Sequence, residues 1–160
     1  MIQIPKTAHG IFLRLALTQA KIASRHGEVP VGAVVVLDGR VIGKGRNEIV
    51  SRKDPTAHAE ILALRKAANK TGNERLIGSI LFTTLEPCAM CAGAAVLARV
   101  SEVVFGAADP RAGACGSVLD LSNNKKLNHH FQVTGPVMQK ECGEILKSFF
   151  KKKRQKPRSE

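Results

Sequence analysis

The sequence predicts an α/β fold in three layers, with helices on both faces of a mixed central sheet. Segments with helical spacing of apolar residues alternate along the chain with short β-branched segments. The 160 residues are 44% hydrophobic, which suits one sizeable core. We therefore expect a single domain over residues 1–160, with a basic C-terminal helix and tail from about residue 141.

The first half of the chain predicts a helix, a β-hairpin and a second helix. Helices are indicated where apolar residues recur at intervals of three and four, and strands where β-branched residues concentrate. The pair Asp38-Gly39 indicates the tight turn of the hairpin. The predicted elements are, in order, a helix over 7–26, strands over 31–37 and 40–46, a loop over 47–57 and a helix from His58 to about Gly72.

The second half predicts two more strands and two more helices. Pro87 suits the first turn of a helix, because the amide that proline lacks has no partner there. We expect Cys115 and Cys142 to be small buried apolar residues, and the tail beyond the last helix to fray. The elements are a strand over 79–84, a helix over 88–99, a strand over 102–106, loops over 107–117 and 123–130, and a helix from 141 to about 154.

Two short stretches 30 residues apart hold the residues that could do chemistry: His58 with Glu60, and Cys88 with Cys91. Zinc accepts one imidazole and two thiolates, and three protein ligands leave the open position that catalytic zinc sites keep for water. Water in that position ionises near pH 7, at a pKa of about 7. Glu60 is then the candidate catalytic residue that carries the proton.

Each half of this pattern has a simpler interpretation on its own. A histidine at the start of an apolar helix can be a cap or a packed residue, and Cys-x-x-Cys can be a redox pair. The combination is more specific. His-x-Glu followed by Pro-Cys-x-x-Cys is the signature of zinc-dependent nucleobase deaminases, so the sequence predicts a catalytic zinc site of that kind.

The charge of the chain predicts an anionic partner such as nucleic acid. Lysine and arginine outnumber aspartate and glutamate by 25 to 13, a net charge of +12, and residues 147–160 carry +6 of it. No apolar run reaches the roughly 20 residues that cross a bilayer, and the N-terminus lacks the pattern of a secretory signal. We therefore expect no membrane association and a cytoplasmic location, where thiols stay reduced.

With these residues placed, the sequence closely resembles the bacterial tRNA-specific adenosine deaminases of the cytidine deaminase-like superfamily, over roughly residues 13–153. The zinc motifs identify the superfamily. The branch is indicated by the loop Asp-Pro-Arg-Ala-Gly-Ala-x-Gly-Ser at 109–117 and by the helix that contains Glu141-Cys142 and Phe149-Phe150. The likeness extends to Val-Pro-Val-Gly-Ala-Val at 29–34, Asn47, Thr84–Ala94 and Gly106–Gly113.

The resemblance implies a cytidine deaminase-like fold and zinc-dependent hydrolytic deamination of adenosine to inosine at wobble position 34 of a tRNA anticodon loop. It also implies a homodimer, one Zn²⁺ per subunit, and an arginine tRNA as the usual substrate. By position it assigns zinc binding to His58, Cys88 and Cys91, the proton shuttle to Glu60, a hydrogen bond with the target base to Asn47, and a ribose contact to Asp109. That ribose contact could distinguish RNA from DNA.

The chain departs from this pattern in two ways. Ala108 stands where relatives often carry a basic residue, and neither Trp nor Tyr occurs. We therefore expect Phe149, Phe150 and Lys151 to bind RNA, with one phenylalanine buried and the other exposed; the simpler interpretation is that both belong to the helix core. His129 and His130 are interpreted as loop residues rather than metal ligands.

Two other functions remain open. The same zinc site could deaminate a free base or nucleoside, such as guanine or cytosine, although the basic C-terminus would then have no explanation. Alternatively, zinc could be structural in an RNA-binding module. A structural site needs a fourth ligand and has no use for the free carboxylate of Glu60, which favours an enzyme.

Overall fold

The computed structural model describes residues 2–156. All eight predicted helices and strands are present, with ends within two residues of the expected positions. After a 3-10 turn at Lys6–Ala8, the elements are α1 (His9–Arg25), β1 (Gly32–Leu37), β2 (Arg40–Arg46), α2 (Ile49–Arg52), α3 (Ala59–Thr71), β3 (Ile80–Leu85), α4 (Ala89–Leu97), β4 (Glu102–Ala107), β5 (Gln132–Thr134) and α5 (Gln139–Gln155).

The five strands form one mixed sheet in the order β2-β1-β3-β4-β5. Strand β1 is antiparallel to β2 and β3, whereas β3, β4 and β5 run parallel. The tight turn at 38–39 makes the first pair antiparallel, and the crossover through α4 makes β3 and β4 parallel. The predicted α/β fold with a mixed sheet is therefore confirmed.

Helices cover both faces of the sheet, which completes the predicted three layers. Successive residues of β1 point to opposite faces: Val34 and Val36 contact the cluster that includes Leu13 of α1, whereas Ala33 and Val35 contact the cluster of α3 and α4. Helix α5 lies beside α1, where Cys142 is fully buried. Since both faces of β1 are buried, its sequence is apolar without alternation.

Glycines in β2 allow α3 to lie directly on the hairpin. A Cβ atom at Gly43 would be 2.2 Å from the Ala63 carbonyl oxygen, and one at Gly45 would be 2.1 Å from that of Ala59. These glycines weaken the strand itself, but only a residue without a side chain permits this approach. They therefore fix the height of the start of α3, next to His58, above the sheet.

One edge of the sheet gathers the ends of four strands. Gly32, at the start of β1, pairs with Arg46 at the end of β2, and the start of β1 also lies beside the end of β3. Because β3 and β4 are parallel, their carboxyl ends meet at this same edge. In sheets of this kind, ligands bind beyond the carboxyl ends of the strands.

Two short elements were not predicted from the sequence. Residues 47–57 contain α2, a single turn whose amides at Val50 and Ser51 bond to the Glu28 carboxylate. Strand β5 has three residues, only one of them apolar, so it carries no strand pattern. Cys115 and Cys142 are buried, as expected. The tail that is predicted to fray includes residues 157–160, which lie outside the described residues. None of the described helices is long and apolar enough to cross a membrane.

Candidate active site

Helix α3 begins immediately after His58, which places its imidazole at the edge of the sheet. His58 has extended backbone angles, and its carbonyl accepts the first bond of the helix from Leu62 at 3.1 Å. The side chain makes no cap bond. The imidazole is therefore free to act as a ligand, and the helix only positions it.

Helix α4 presents the two cysteines in the same way. Cys88 is the N-cap of this helix, which follows Pro87, and Cys91 lies in its first turn. Residues three apart share one face of a helix, so the two sulfur atoms point together. The free amides and positive dipole end of α4 also favour thiolate there.

The structure brings His58, Cys88 and Cys91 together as a group that could bind a metal ion, with ligand atoms within 4.8 Å of one another. The His58 Nδ1 atom lies 3.7 Å from Cys88 Sγ and 3.6 Å from Cys91 Sγ. A tetrahedral zinc ion, with bonds of about 2.3 Å to sulfur and about 2.0–2.1 Å to nitrogen, separates such atoms by about 3.6 Å. The donor set thus fits zinc in both kind and spacing.

The two thiols differ in acidity, because one proton is shared between them. Hydrogen bonds from Cys91 and His58 lower the pKa of Cys88 to about 3. The bond to Cys88, together with burial, raises the pKa of Cys91. The hydrogen bond to Cys88 also raises the pKa of His58. A metal ion bound to both sulfur atoms would displace the remaining thiol proton.

Glu60 is a buried carboxyl group in the first turn of α3, only 4% exposed. The hydroxyl of Thr83, from β3, donates to its Oε1 atom at 3.2 Å. Burial raises the pKa of Glu60, the direction expected of a group that takes up and releases a proton near neutral pH. Thr83 had no signal in the sequence, because it looks like any other strand residue.

Asn47 joins β2 to the start of α3. Its side-chain oxygen accepts a hydrogen bond from the Ala59 backbone amide at 3.1 Å, and its backbone N–H donates to the Val31 carbonyl at the same distance. Asn47 is 6% exposed. Since the oxygen holds the helix, the amide nitrogen is the half of the side chain that can serve a ligand.

Asp109 follows β4 in a tightly bonded loop. Its Oδ1 atom accepts from the amides of Arg111 at 3.0 Å and Ala112 at 3.2 Å, which forms a local turn. Its amide donates to the Glu86 carboxylate at 2.9 Å. The second carboxylate oxygen of Asp109 lies outside this turn. Glu86 also had no signal in the sequence beyond its place before Pro87.

A cleft of about 240 Å³ joins these parts, and it suits one planar heterocycle rather than a large ligand. It is lined by Val29, Val31, Asn47, Ile49, His58, Glu60, Leu85, Glu86, Cys88, Asp109 and Ala112. Of the predicted site residues, the structure thus brings Asn47 and Asp109 to the metal-ligand group and to Glu60.

The predicted RNA-binding residues of α5 lie elsewhere. Phe149 lines a separate groove between α1 and α5, and Phe150 and Lys151 are exposed on α5. The expectation of one buried and one exposed phenylalanine is wrong: Phe149 is half-buried and Phe150 is 40% exposed. Phe149 stays half-buried because it lines the groove between α1 and α5, with the Phe150 ring 5.4 Å away centre to centre and the Lys153 ammonium 5.9 Å from its ring centre.

Three ligands leave a fourth metal position open beside a buried carboxylate, which is the arrangement of a zinc-type deaminase. The comparisons agree with this class. The family model of the MafB19-like deaminases matches residues 7–154. The tRNA-specific adenosine deaminase of Haemophilus influenzae is 47% identical over 92% of this chain and 86% of its own length, and that of Bacillus subtilis is 41% identical over 96% and 95%.

Solved structures give the same result. A tRNA:A34 deaminase of A-to-I editing at the wobble position superimposes with a TM-score of 0.83 and 43% identity, covering 86% of this chain and 99% of that one. A guanine deaminase from Bacillus subtilis gives 0.61 and 33%, covering 95% and 98%. The chain belongs to the tRNA-specific adenosine deaminase family.

Proposed function

We propose that this chain deaminates adenosine to inosine at wobble position 34 of a tRNA anticodon loop and releases ammonia. The observation that carries the proposal is the buried carboxyl group of Glu60, held in one small cleft with three metal-ligating side chains. The identity of the substrate is inferred from membership of the family. The unpaired anticodon loop lets a base turn into the cleft at small cost.

We propose that His58, Cys88 and Cys91 hold one Zn²⁺ per subunit. Zinc held there would supply a nucleophile at neutral pH, because it lowers the pKa of a water ligand to about 7. Glu60 would take one proton from water and deliver it to N1 of adenine. It would then take the second proton, from the hydroxyl group added at C6, and deliver it to the departing amine. The Thr83 hydroxyl donates to one oxygen of Glu60 and so helps to hold this carboxyl group in place.

Two further residues position the nucleotide in this proposal. The amide nitrogen of Asn47 donates to a ring nitrogen of the target base, because its oxygen is already bonded to Ala59. The outer oxygen of Asp109 accepts from a ribose hydroxyl, as a sensor of RNA. Both side chains line the cleft, so neither needs to move far.

The C-terminal helix α5 is proposed to bind the anticodon stem-loop of the tRNA. From the family resemblance, this is expected to be an arginine tRNA. A groove of about 570 Å³ between α1 and α5 has an apolar floor that includes Ile145 and Phe149 and a basic rim of Arg25, Lys152, Lys153 and Lys156. Phosphates fit the rim, and unstacked bases fit Phe149, Phe150 and the neighbouring Lys151. These contacts would hold the anticodon loop in place while one base is bound in the cleft.

A homodimer is proposed from the outer face of α4. Leu97 is 76% exposed and lines an apolar surface groove of about 550 Å³ with Met90, Gly93, Leu121 and Leu127. A second copy would remove this surface from water. Since α4 directly follows Cys88, the partner would lie near the cleft.

The likeness to a guanine deaminase favours one alternative, deamination of a free purine. The experiment compares inosine formation in the host tRNA pool, read by sequencing at wobble adenosines, with ammonia release from guanine, adenine and adenosine. We expect inosine at a wobble position and no turnover of free purines. Glu60→Gln should retain zinc, measured by atomic absorption, and lose about 10²–10⁴-fold in rate.

Glu74→Gln, at a side chain 83% exposed, is the matched control and should react like the unmodified chain. Zinc-loaded protein that leaves every wobble adenosine unchanged would overturn the tRNA substrate. Turnover of guanine under those conditions would establish the alternative.

A further inference from the structure

Glu86 is a buried carboxylate, 2% exposed, that the proposed chemistry does not use. It stands between the end of β3 and the start of α4, and its amide donates to the Ala107 carbonyl at 2.8 Å, which ties the ends of β3 and β4 together. A charged side chain this deep is unfavourable unless hydrogen bonds surround it. Its partners therefore indicate what it holds in place.

All partners of the carboxylate belong to the loop over 109–117. Oε1 accepts from the amides of Cys115 at 3.1 Å and Ser117 at 3.0 Å, and Oε2 accepts from the Asp109 amide at 2.9 Å and from the Ser117 hydroxyl. Four donors fill the acceptor sites of one carboxylate. Glu86 thus joins both ends of the loop.

The middle of the loop is folded over the same group. A Cβ atom at Gly113 would lie 2.4 Å from both Cδ and Oε2 of Glu86, so this position requires glycine. The next amide, of Ala114, donates to the Pro87 carbonyl at 2.8 Å, one residue before Cys88. The loop is therefore fixed to the start of α4, and its residues Asp109 and Ala112 line the cleft.

We infer that Glu86 is a positioning residue that sets the Asp109 loop against the cleft and so determines how the nucleotide is held; this rests on the proposed function. Glu86 acts through Asp109 and touches no reacting atom. A carboxylate is required because all four contacts to this side chain are hydrogen-bond donors. In Glu86→Gln, the amide nitrogen would face at least one backbone N–H, donor against donor, although the side chain keeps its size.

The test measures kcat and KM for inosine formation on an anticodon stem-loop RNA, with zinc content and amide hydrogen exchange. Glu86→Gln should keep one zinc per chain, raise KM by about 10–100-fold with little change in kcat, and remove the exchange protection of the amides at Asp109, Cys115 and Ser117. In an Asp109→Ala background, the same substitution should add no further increase in KM. Glu74→Gln controls for the lost charge.

Independent, additive effects of Glu86→Gln and Asp109→Ala on KM would overturn the inference, as would an unchanged KM in a zinc-loaded variant. If Glu86→Gln does not fold, Ser117→Ala, which removes one of the four contacts, should raise KM about 2–5-fold and likewise lose that effect in the Asp109→Ala background. If the unmodified chain forms no inosine, the proposed function fails instead, and loss of amide protection in Glu86→Gln still supports the positioning role.

Discussion

At the scale of single residues, buried polar side chains connect the loops around the cleft to the sheet. Asn47 bonds β2 to the start of α3, Glu86 bonds the loop after β4, and Glu28 bonds the single turn of α2. Each accepts hydrogen bonds from backbone amides of the segment it holds. The same residues set the cleft walls, so the site depends on hydrogen bonds outside its own chemistry.

Glu28 gives a pH-dependent prediction. Burial alone would raise its pKa, but bonds from Ser51 and Val50 outweigh it and leave the pKa below the usual 4.5. The ionised form is thus favoured by folding, so the stabilisation is present above about pH 4.5 and is lost as the pH falls through the lowered value. Glu28→Gln should reduce the free energy of unfolding by about 1–3 kcal/mol at pH 7 and less at pH 3.

Urea unfolding at the two pH values measures this difference. Glu144→Gln, on the exposed side of α5, removes the same charge without those bonds and should have little effect at either pH. An equal loss of stability at pH 3 and pH 7 for Glu28→Gln would mean that the carboxylate charge is not what α2 needs.

At the scale of elements, close packing of helix backbones on the sheet places the catalytic groups. Helix α3 can deliver His58 and Glu60 to the sheet edge only because β2 offers no side chains at its contact points. Helix α5 differs, since the side chains of its last turns are exposed and mostly basic. Helix α3 thus positions the site, whereas the end of α5 presents charge at the surface.

Gly45→Ala should destabilise the protein by about 1–3 kcal/mol or more, because the new methyl group overlaps the Ala59 carbonyl of α3. Activity should fall with it, since His58 shifts. Gly143→Ala, in α5 where the nearest atom to the new Cβ would be 3.7 Å away, should be neutral or stabilise by up to about 1 kcal/mol. Thermal unfolding of both variants checks the contrast; equal effects would contradict it.

The basic rim of the groove between α1 and α5 gives a salt-dependent prediction. Replacing Lys152, Lys153 and Lys156 by Gln should weaken tRNA binding and reduce the slope of log K against log salt by about 2. Lys125→Gln with Lys126→Gln is the control, because that loop bonds to residues before β4, at the opposite sheet edge. Filter binding from 50 to about 200 mM salt measures both slopes; an unchanged slope in the triple variant would show that the rim is only solvated.

At the scale of the whole molecule, charge and apolar surface are separated. The basic residues concentrate in α5 and the tail, whereas the exposed apolar side chains of α4 lie at the other layer of the fold. A homodimer through α4 would leave the basic helices accessible to RNA. The two proposed contact surfaces, for a second copy and for nucleic acid, therefore do not overlap.

Leu97→Glu should dissociate the proposed dimer at micromolar concentration, since it places a charge in the apolar contact, while leaving the monomer fold intact. Ile11→Glu, at a side chain 58% exposed on α1, which packs on the other face of the sheet from α4, is the matched control and should keep the mass of a dimer. Sedimentation equilibrium reads the mass, and circular dichroism checks the fold. A monomeric unmodified chain would exclude the dimer.

The sequence by itself determined the helices, the strands and the metal-binding motif, because apolar periodicity and the spacing of His58, Cys88 and Cys91 are local properties of the chain. It could not indicate β5, because its three residues form a strand only by pairing with β4. Nor could it indicate the exposure of Phe149, which depends on how α5 packs against α1.

Only the tertiary structure decided how the cleft is held together. Thr83 bonds to Glu60 across 23 residues, and Glu86 bonds to Asp109 across the same separation. Such contacts leave no periodic or spacing signal, because they arise where the ends of separate strands meet at one sheet edge. The sequence therefore determined which chemistry is present, and the packing of the sheet decided which side chains position it.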